Sequence, residues 1–281
     1  MALCPQQLLQ KRYWMKLEIR DFLNQNETSL NESGIGTARL DVLVLLEDAL
    51  GKDRSWILAN PDYELEDEMV QKVMQQVERR KAHVPLAYIR GFTEFYGRKF
   101  KIDERALEPR PESEAMIDLL KALPYSAFPK IFDIGTGSGA IGITAALEIP
   151  GCQLSLIDID PACLDLATEN VQLHGIKARI REENLAENIS EADVLLCNLP
   201  YVPDNYEINE AALHEPRLAI YGGKDGLDLY RTLFSQIKSK PVSYVLTEAL
   251  PFQHQEILSI AHDCGYEQIE KYDFIQVFQN T

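Results

Sequence analysis

Cysteine is sparse and unpaired in this sequence: there are five, Cys4, Cys152, Cys163, Cys197 and Cys264, and no Cys-x-x-Cys spacing. An odd, scattered set argues against a disulfide framework or a thiolate zinc site and suits buried thiols in a reducing cytoplasm. The histidines His83, His174, His214, His254 and His262 form no His-x-x-x-His pair, which removes the commonest helical metal site. No apolar run approaches the roughly 18 residues needed to cross a membrane. Residues 1–16 lack the long apolar stretch of a secretory signal, and Met15 is a second candidate start. Basic residues are also in short supply. Lys and Arg number 28 against 44 Asp and Glu, a formal charge of −16 with a pI near 4.8, and nearly all of the excess lies after Gly91. A protein docking on nucleic acid normally carries a basic face, so a protein or small-molecule partner is favoured.

What the chain does have is apolar content, 46% of 281 residues, enough for a sizeable core and two domains. Residues from about Leu17 to Ala82 read as helices. Thr37 to Leu50 is one, stopped by Gly51; Leu65 to Ala82 is a second, charged and amphipathic; Asn60-Pro61-Asp62 breaks the chain between them. From Tyr88 to Ile102 the aromatic and β-branched residues around Gly97 predict a β-hairpin between domains. After Lys130, strands and helices alternate, which implies a parallel sheet wound with helices. The predicted strands are Ile131–Ile134, Gln153–Ile157, Ala178–Arg181, Val194–Cys197 and Ser243–Thr247, followed by a terminal hairpin of Tyr266–Ile269 and Phe274–Phe278. The acids at Glu182-Glu183 and from Asp204 to Glu215 read as solvated loop.

Two features carry chemistry. Ile131-Phe132-Asp133-Ile134 runs into Gly135-Thr136-Gly137-Ser138-Gly139 and then a helix from Ala140 to Leu147; the next strand ends in Asp158. Glycines there let a cofactor approach the backbone, and an acid at the second strand's end accepts hydrogen bonds from ribose hydroxyls. Gly137 to Gly142 also satisfies the dinucleotide pattern Gly-x-Gly-x-x-Gly. Asp133 argues against a pyrophosphate, and with Asp158 and Asp160 it favours a cationic, phosphate-free cofactor, S-adenosylmethionine. The second feature is Asn198-Leu199-Pro200-Tyr201 after the apolar run Ala192 to Cys197. The Asn198 side-chain oxygen and the Leu199 carbonyl, fixed in direction by Pro200, can both accept from one planar NH2 group. An Asn-Pro turn closing a strand is the plainer reading of the same residues.

In order, Asp133-Ile-Gly-Thr-Gly-Ser-Gly139, Asn198-Leu-Pro-Tyr-Val-Pro203 and Glu215-Pro-Arg through Gly222-Gly-Lys-Asp-Gly-Leu-Asp228 resemble the HemK/PrmC-type protein glutamine methyltransferases. Glu94-Phe95-Tyr96 and Pro109-Arg-Pro-Glu-Ser-Glu114 are similar to that family's inter-domain segment. The resemblance implies a Rossmann-like, seven-stranded α/β methyltransferase domain over residues 109–281, a hairpin linker over 85–108 and a small helical substrate-recognition domain over 1–84. It implies methyl transfer from S-adenosylmethionine to the side-chain amide of the Gln in the Gly-Gly-Gln motif of class 1 peptide-chain release factors. That reaction is cytoplasmic, with no membrane and no direct nucleic-acid partner expected. By matching position, Asp133, Gly135 and Gly137 would line the cofactor's methionine end and Asp158 its ribose, Thr136 and Gly139 would bind the cofactor in the same loop, and Asn184 falls where the family usually has an Asp near the adenine. Asn198, Leu199, Pro200 and Tyr201 would hold and align the substrate amide, with Asn198 beside the cofactor as well. The chain departs from the family at Leu199, where proline is usual, at Thr247-Glu248-Ala249, where Glu-Ile-Gly is common, and in its tail from Lys271.

Three other readings compete. An RNA adenine N6-methyltransferase faces the same problem of gripping an amine, and rRNA adenine dimethyltransferases share Asn-Leu-Pro-Tyr; acidity and the Glu215-to-Asp228 stretch oppose it. A non-catalytic S-adenosylmethionine-binding interaction protein is motivated by Leu199 and Asn184. A nicotinamide dehydrogenase leaves the acceptor motif unexplained.

Overall fold

Apolar side chains at helical spacing, Ile19, Phe22, Leu23 and Leu30, make the first described helix amphipathic and bury one stripe of it (α1, Ile19–Glu32). The computed structural model describes residues 17–281; residues 1–16, including Cys4 and Met15, lie outside the described residues. Two units divide in sequence between Arg90 and Gly91. In the first, α2 (Ala38–Leu50) ends on Gly51 in the left-handed region, φ 62°, where the Gly51 N–H caps the Glu47 carbonyl. Asp53 caps the short α3 (Arg54–Ala59) by accepting from the Trp56 N–H at 2.7 Å. Helix α4 (Asp67–Lys81) has Asp67 and Glu68 in its first turn and Arg79, Arg80 and Lys81 in its last, as the helix dipole favours. The two helices expected around Gly51 and before Ala82 are therefore present. One expectation fails: Tyr88 and Ile89 belong to a short helix, α5 (Leu86–Arg90), instead of a strand. Both are buried, and Ile89 packs into the apolar cluster of the helical unit.

The hairpin itself begins at Phe92 and is part of the second unit. β1 (Phe92–Phe95) and β2 (Arg98–Lys101) pair antiparallel through Tyr96 and Gly97, whose φ values of 51° and 68° are those of a two-residue primed turn. After α6 (Glu114–Lys121) the chain alternates as expected: β3 (Lys130–Ile134), α7 (Ala140–Glu148), β4 (Gln153–Asp158), α8 (Pro161–Leu173), β5 (Arg179–Glu182), β6 (Ala192–Cys197), α9 (Asp228–Ile237), β7 (Val242–Glu248) and α10 (His254–His262). The closing strands β8 (Tyr266–Tyr272) and β9 (Ile275–Asn280) complete a seven-stranded sheet of order β5-β4-β3-β6-β7-β9-β8. β3 to β7 run parallel to their neighbours, and only β9 is antiparallel to β7 and β8.

Alternation along β6 shows why the sheet is covered on both faces. Leu195 and Cys197 join the apolar cluster under α9 and α10, whereas Val194 and Leu196 join the one under α6 and α7. The strand order reverses beside β3, between β4 on one side and β6 on the other. Ligands bind open α/β sheets at such a switch point, outside the carboxyl ends of the strands. The register sets Ile134 opposite Ile157 and Cys197, so the glycine loop, Asp158 and Asn198 emerge together there.

Candidate active site

The glycine loop is held from below by Asp133. Its side chain, 1% exposed, accepts from the Thr136 hydroxyl at 2.6 Å and from the Gly142 N–H at 2.9 Å. Burial pushes its pKa up to about 6 despite these donors. Gly142 is required for close helix–strand packing: a Cβ there would lie 2.5 Å from Leu156 and 2.8 Å from Asp133. That packing accounts for the third glycine of the dinucleotide-like pattern. Gly139, φ 82°, starts α7 and also packs inward, against Ile143 and Ala167.

Above the loop lies a cavity of about 180 Å³, to which Gly135, Thr136, Gly137, Asp158, Asn184, Asn198, Leu199 and Pro200 all contribute. Among the predicted site residues, Asp133, Gly139 and Tyr201 are not on its wall. Asp158 accepts from the Gly137 N–H at 2.9 Å and the Asp160 N–H at 3.0 Å, which uses two of its roughly four acceptor positions. Its pKa is raised, chiefly by burial. The wall carries the acids Asp158, Asp160 and Glu183 and, among the described residues, no lysine, arginine or histidine. A pyrophosphate would find no counter-charge there, whereas a cationic nucleoside fits. Cys163 also touches the cavity, but burial drives its thiol up to about 12, so it stays protonated and hydrogen-bonds the Arg105 carbonyl at 3.1 Å.

At the end of β6, the Asn198 amide donates to the Ser113 hydroxyl at 3.0 Å. Ser113, fully buried, donates to Glu248 Oε2 at 2.6 Å, and the Tyr201 hydroxyl donates to Glu248 Oε1 at 3.1 Å. The single Ser113 proton goes to the carboxylate, so Ser113 can only accept from Asn198, and this fixes which end of the amide faces it. Asn198 Oδ1 has no hydrogen bond among the described residues. Burial raises Glu248 to about 7, opposed by the hydrogen bonds from Ser113, Tyr201 and, more weakly, the Asn198 amide. Tyr201 therefore points its hydroxyl at Glu248.

The backbone of this motif is clamped from the other side. The Gln253 amide donates to the carbonyls of Tyr201 at 2.7 Å and Asp225 at 2.8 Å. A Cβ on Gly222 would lie 2.3 Å from the Pro200 oxygen, and one on Gly226 2.0 Å from the Tyr201 oxygen. The Gly222-to-Asp228 stretch thus exists to let two backbones touch. Glu215, read from sequence as solvated loop, is 5% exposed; it accepts from Arg110 and from the Glu108 N–H. That pairing joins the segments around Pro109 and Pro216, both of which line the cavity. Glu183 is buried likewise, paired with Arg181 at 2.6 Å. Ser113, Glu248, Gln253 and the Arg110–Glu215 pair were not legible as site residues. The available signals were indirect: Arg110, Ser113 and Glu215 lie in the segments that resemble the family, and Glu248 is an acid at the carboxyl end of a strand beside the Asn198 strand.

A seven-stranded sheet of this order, with a cation-free cavity over a glycine loop and an Asn-x-Pro-aromatic strand end, defines a Rossmann-like methyltransferase. Residues 113–215 match the methyltransferase small domain family and residues 21–91 the PrmC N-terminal domain family. The chain is 34% identical to a release factor glutamine methyltransferase of Deinococcus radiodurans over 224 residues, 78% of this chain and 81% of that one. It is 32% identical to the enzyme of the same name from Clostridium botulinum over 228 residues, again 78% and 81%. The fold matches the crystal structure of the hMettl16 catalytic domain in complex with the MAT2A 3'UTR hairpin 6 at TM-score 0.52 and 13% identity, over 76% of this chain and 82% of that one. This chain belongs to the release factor glutamine methyltransferase family.

Proposed function

We propose that the chain methylates the side-chain amide nitrogen of the Gln in the Gly-Gly-Gln motif of class 1 peptide-chain release factors. The observation that carries the reading is the Asn198 side chain at the cavity wall, tied back through its NH2 group so that its oxygen is left to accept. S-adenosylmethionine supplies an electrophilic methyl group on a sulfonium. Gly135, Thr136 and Gly137 would hold its methionine end, Asp158 its ribose and Asn184 the adenine edge; Asp133 supports the loop from beneath.

A carboxamide nitrogen is a poor nucleophile because its lone pair is delocalised into its carbonyl. Asn198 Oδ1 and the Leu199 carbonyl each accept one of its N–H groups, which orients the nitrogen and favours positive charge developing on it. Alignment supplies most of the effect, and the two dipoles add an electrostatic share. Pro200 keeps the Leu199 carbonyl in a fixed direction although Leu199 itself is not proline. No base is needed before transfer, since the proton can leave to water afterwards. The cytoplasm is the compartment in which such a substrate is met.

Residues before Gly91 are assigned to recognition of the release factor, because the cavity draws only on residues after it. A truncated, folded enzyme that methylates the intact factor as efficiently as the full chain would exclude that role. The main test is turnover: with a release factor, an RNA and labelled cofactor supplied together, label is expected on the factor's glutamine. Label on RNA alone, or cofactor binding without transfer, would refute the assignment.

A further inference from the structure

An asparagine that must offer oxygen and not nitrogen has a weakness: its two ends are nearly the same size, and rotation by half a turn exchanges acceptor for donors. Something must hold it. Here the order Asn198 N–H to Ser113 Oγ, Ser113 O–H to Glu248 carboxylate is self-consistent in one direction only, because each hydroxyl has one proton. We propose that Ser113 and Glu248 are positioning residues that keep the Asn198 oxygen available to the substrate amide, and that protonation of Glu248 reverses the chain and turns the Asn198 NH2 outward. This inference rests on the reading of Asn198 as a substrate ligand.

The reversal follows from proton counting. A neutral Glu248 has an O–H of its own, which can donate to Ser113 Oγ. The Ser113 proton is then released from the carboxylate and satisfied by donating to Asn198, which must present Oδ1 to receive it. The NH2 group then faces the substrate amide, donor against donor, and the grip is lost.

The surroundings bring this change within reach of ordinary pH. Glu248 is 1% exposed and lies at about 7. Glu112, on the turn preceding α6, raises it further, and the Asn198 amide, which reaches the carboxylate as well as Ser113, lowers it. Tyr201 donates to it from the strand end of β6, with Arg110 and Glu112 both acting on that tyrosine. Tyr230 of α9 ties the same strand ends together, its hydroxyl lying 3.1 Å from the Cys197 carbonyl and 2.5 Å from that of Glu248. His254 of α10 bonds the Ala249 carbonyl, not the carboxylate. No cation pairs with Glu248 among the described residues.

The test is kcat against pH for wild type, Ser113→Ala and Glu248→Gln, with a release factor as substrate and melting temperature recorded for each. Ser113→Ala is expected to lower kcat about tenfold, the order of one hydrogen bond, leave KM for S-adenosylmethionine within about twofold, and abolish the acid limb near pH 7 expected of wild type. Glu248→Gln should lose the same limb, and the double variant should be no worse than Ser113→Ala, since both cut one chain. Any limb from Asp133, which burial raises to about 6, is expected to persist in all of them. Wild-type kcat in Ser113→Ala, or an unchanged limb in both variants, overturns the inference. Asn198→Ala measured alongside separates the two levels: if it too turns over normally, the acceptor role has failed and the chain with it. If it is impaired while Ser113→Ala is not, only the positioning chain has failed.

Discussion

Replacing Glu248 by glutamine should stabilise the protein at alkaline pH while slowing it. The carboxyl is buried and titrates at about 7 in the fold against 4.5 when free. Because the folded state binds the proton more tightly, stability from this group is complete below about pH 4.5 and is lost as pH rises through 7. A difference of that size corresponds to about 3 kcal/mol of destabilisation once the group is charged. Glutamine carries no charge, but its amide accepts only one of the two hydroxyl donors, Ser113 and Tyr201, and that costs roughly 1 kcal/mol. The variant's advantage over wild type should therefore grow by about 2 kcal/mol between pH 5.5 and pH 8.5, a change of roughly 4–8 °C in Tm for a unit of this size. The lower limit stays above the pI near 4.8 to avoid precipitation. Thermal unfolding of both proteins at the two pH values measures it. Parallel stability profiles, or a wild type that gains on the variant as pH rises, would show that Glu248 is not a buried titrating carboxyl.

The other expectations are direct. Asn198→Ala should keep its cofactor affinity and lose turnover by on the order of 10²-fold or more, whereas Leu199→Pro should be tolerated because the carbonyl remains; single-turnover assays distinguish the pair, and the opposite ranking would refute the amide grip. Asp158→Ala removes an acceptor at the cavity wall and should weaken S-adenosylmethionine by roughly 10- to 100-fold, from 1.5–3 kcal/mol per charged hydrogen bond; unchanged calorimetry would remove Asp158 from the site. Gly226→Ala should cost several kcal/mol of stability, because its φ of 83° disfavours a side chain and the new Cβ would meet the Tyr201 carbonyl at 2.0 Å. A stable, fully active Gly226→Ala would mean that the loop relaxes freely.

Much of the fold was legible because each signal is local. The run from Ile131 to Gly139 announces a strand and its turn within nine residues, and the alternation after Lys130 fixes a parallel sheet since consecutive parallel strands need a crossover. Tyr88 and Ile89 misled because buried aromatic and branched residues occur on helices and strands alike, and five residues are too few for a period to show. Glu215 misled for a different reason: an acid among acids looks solvated until its partner, Arg110, is brought from 105 positions away.

The residues proposed to meet the cofactor and substrate each sit in a short local motif, so composition, spacing and turn chemistry pointed to them: the glycine loop, Asp158, and Asn198 with Leu199. The residues that hold those groups in one orientation come together from distant segments. Ser113 and Glu248 stand 135 positions apart and become partners only because β7 is laid beside β6 and the turn before α6 crosses their ends. Gly222 and Gly226 acquire a reason only when the backbones of Pro200 and Tyr201 arrive against them. A side chain's type is a property of the sequence, but which lone pair remains free depends on every donor around it, and that is decided when the strands are set in order.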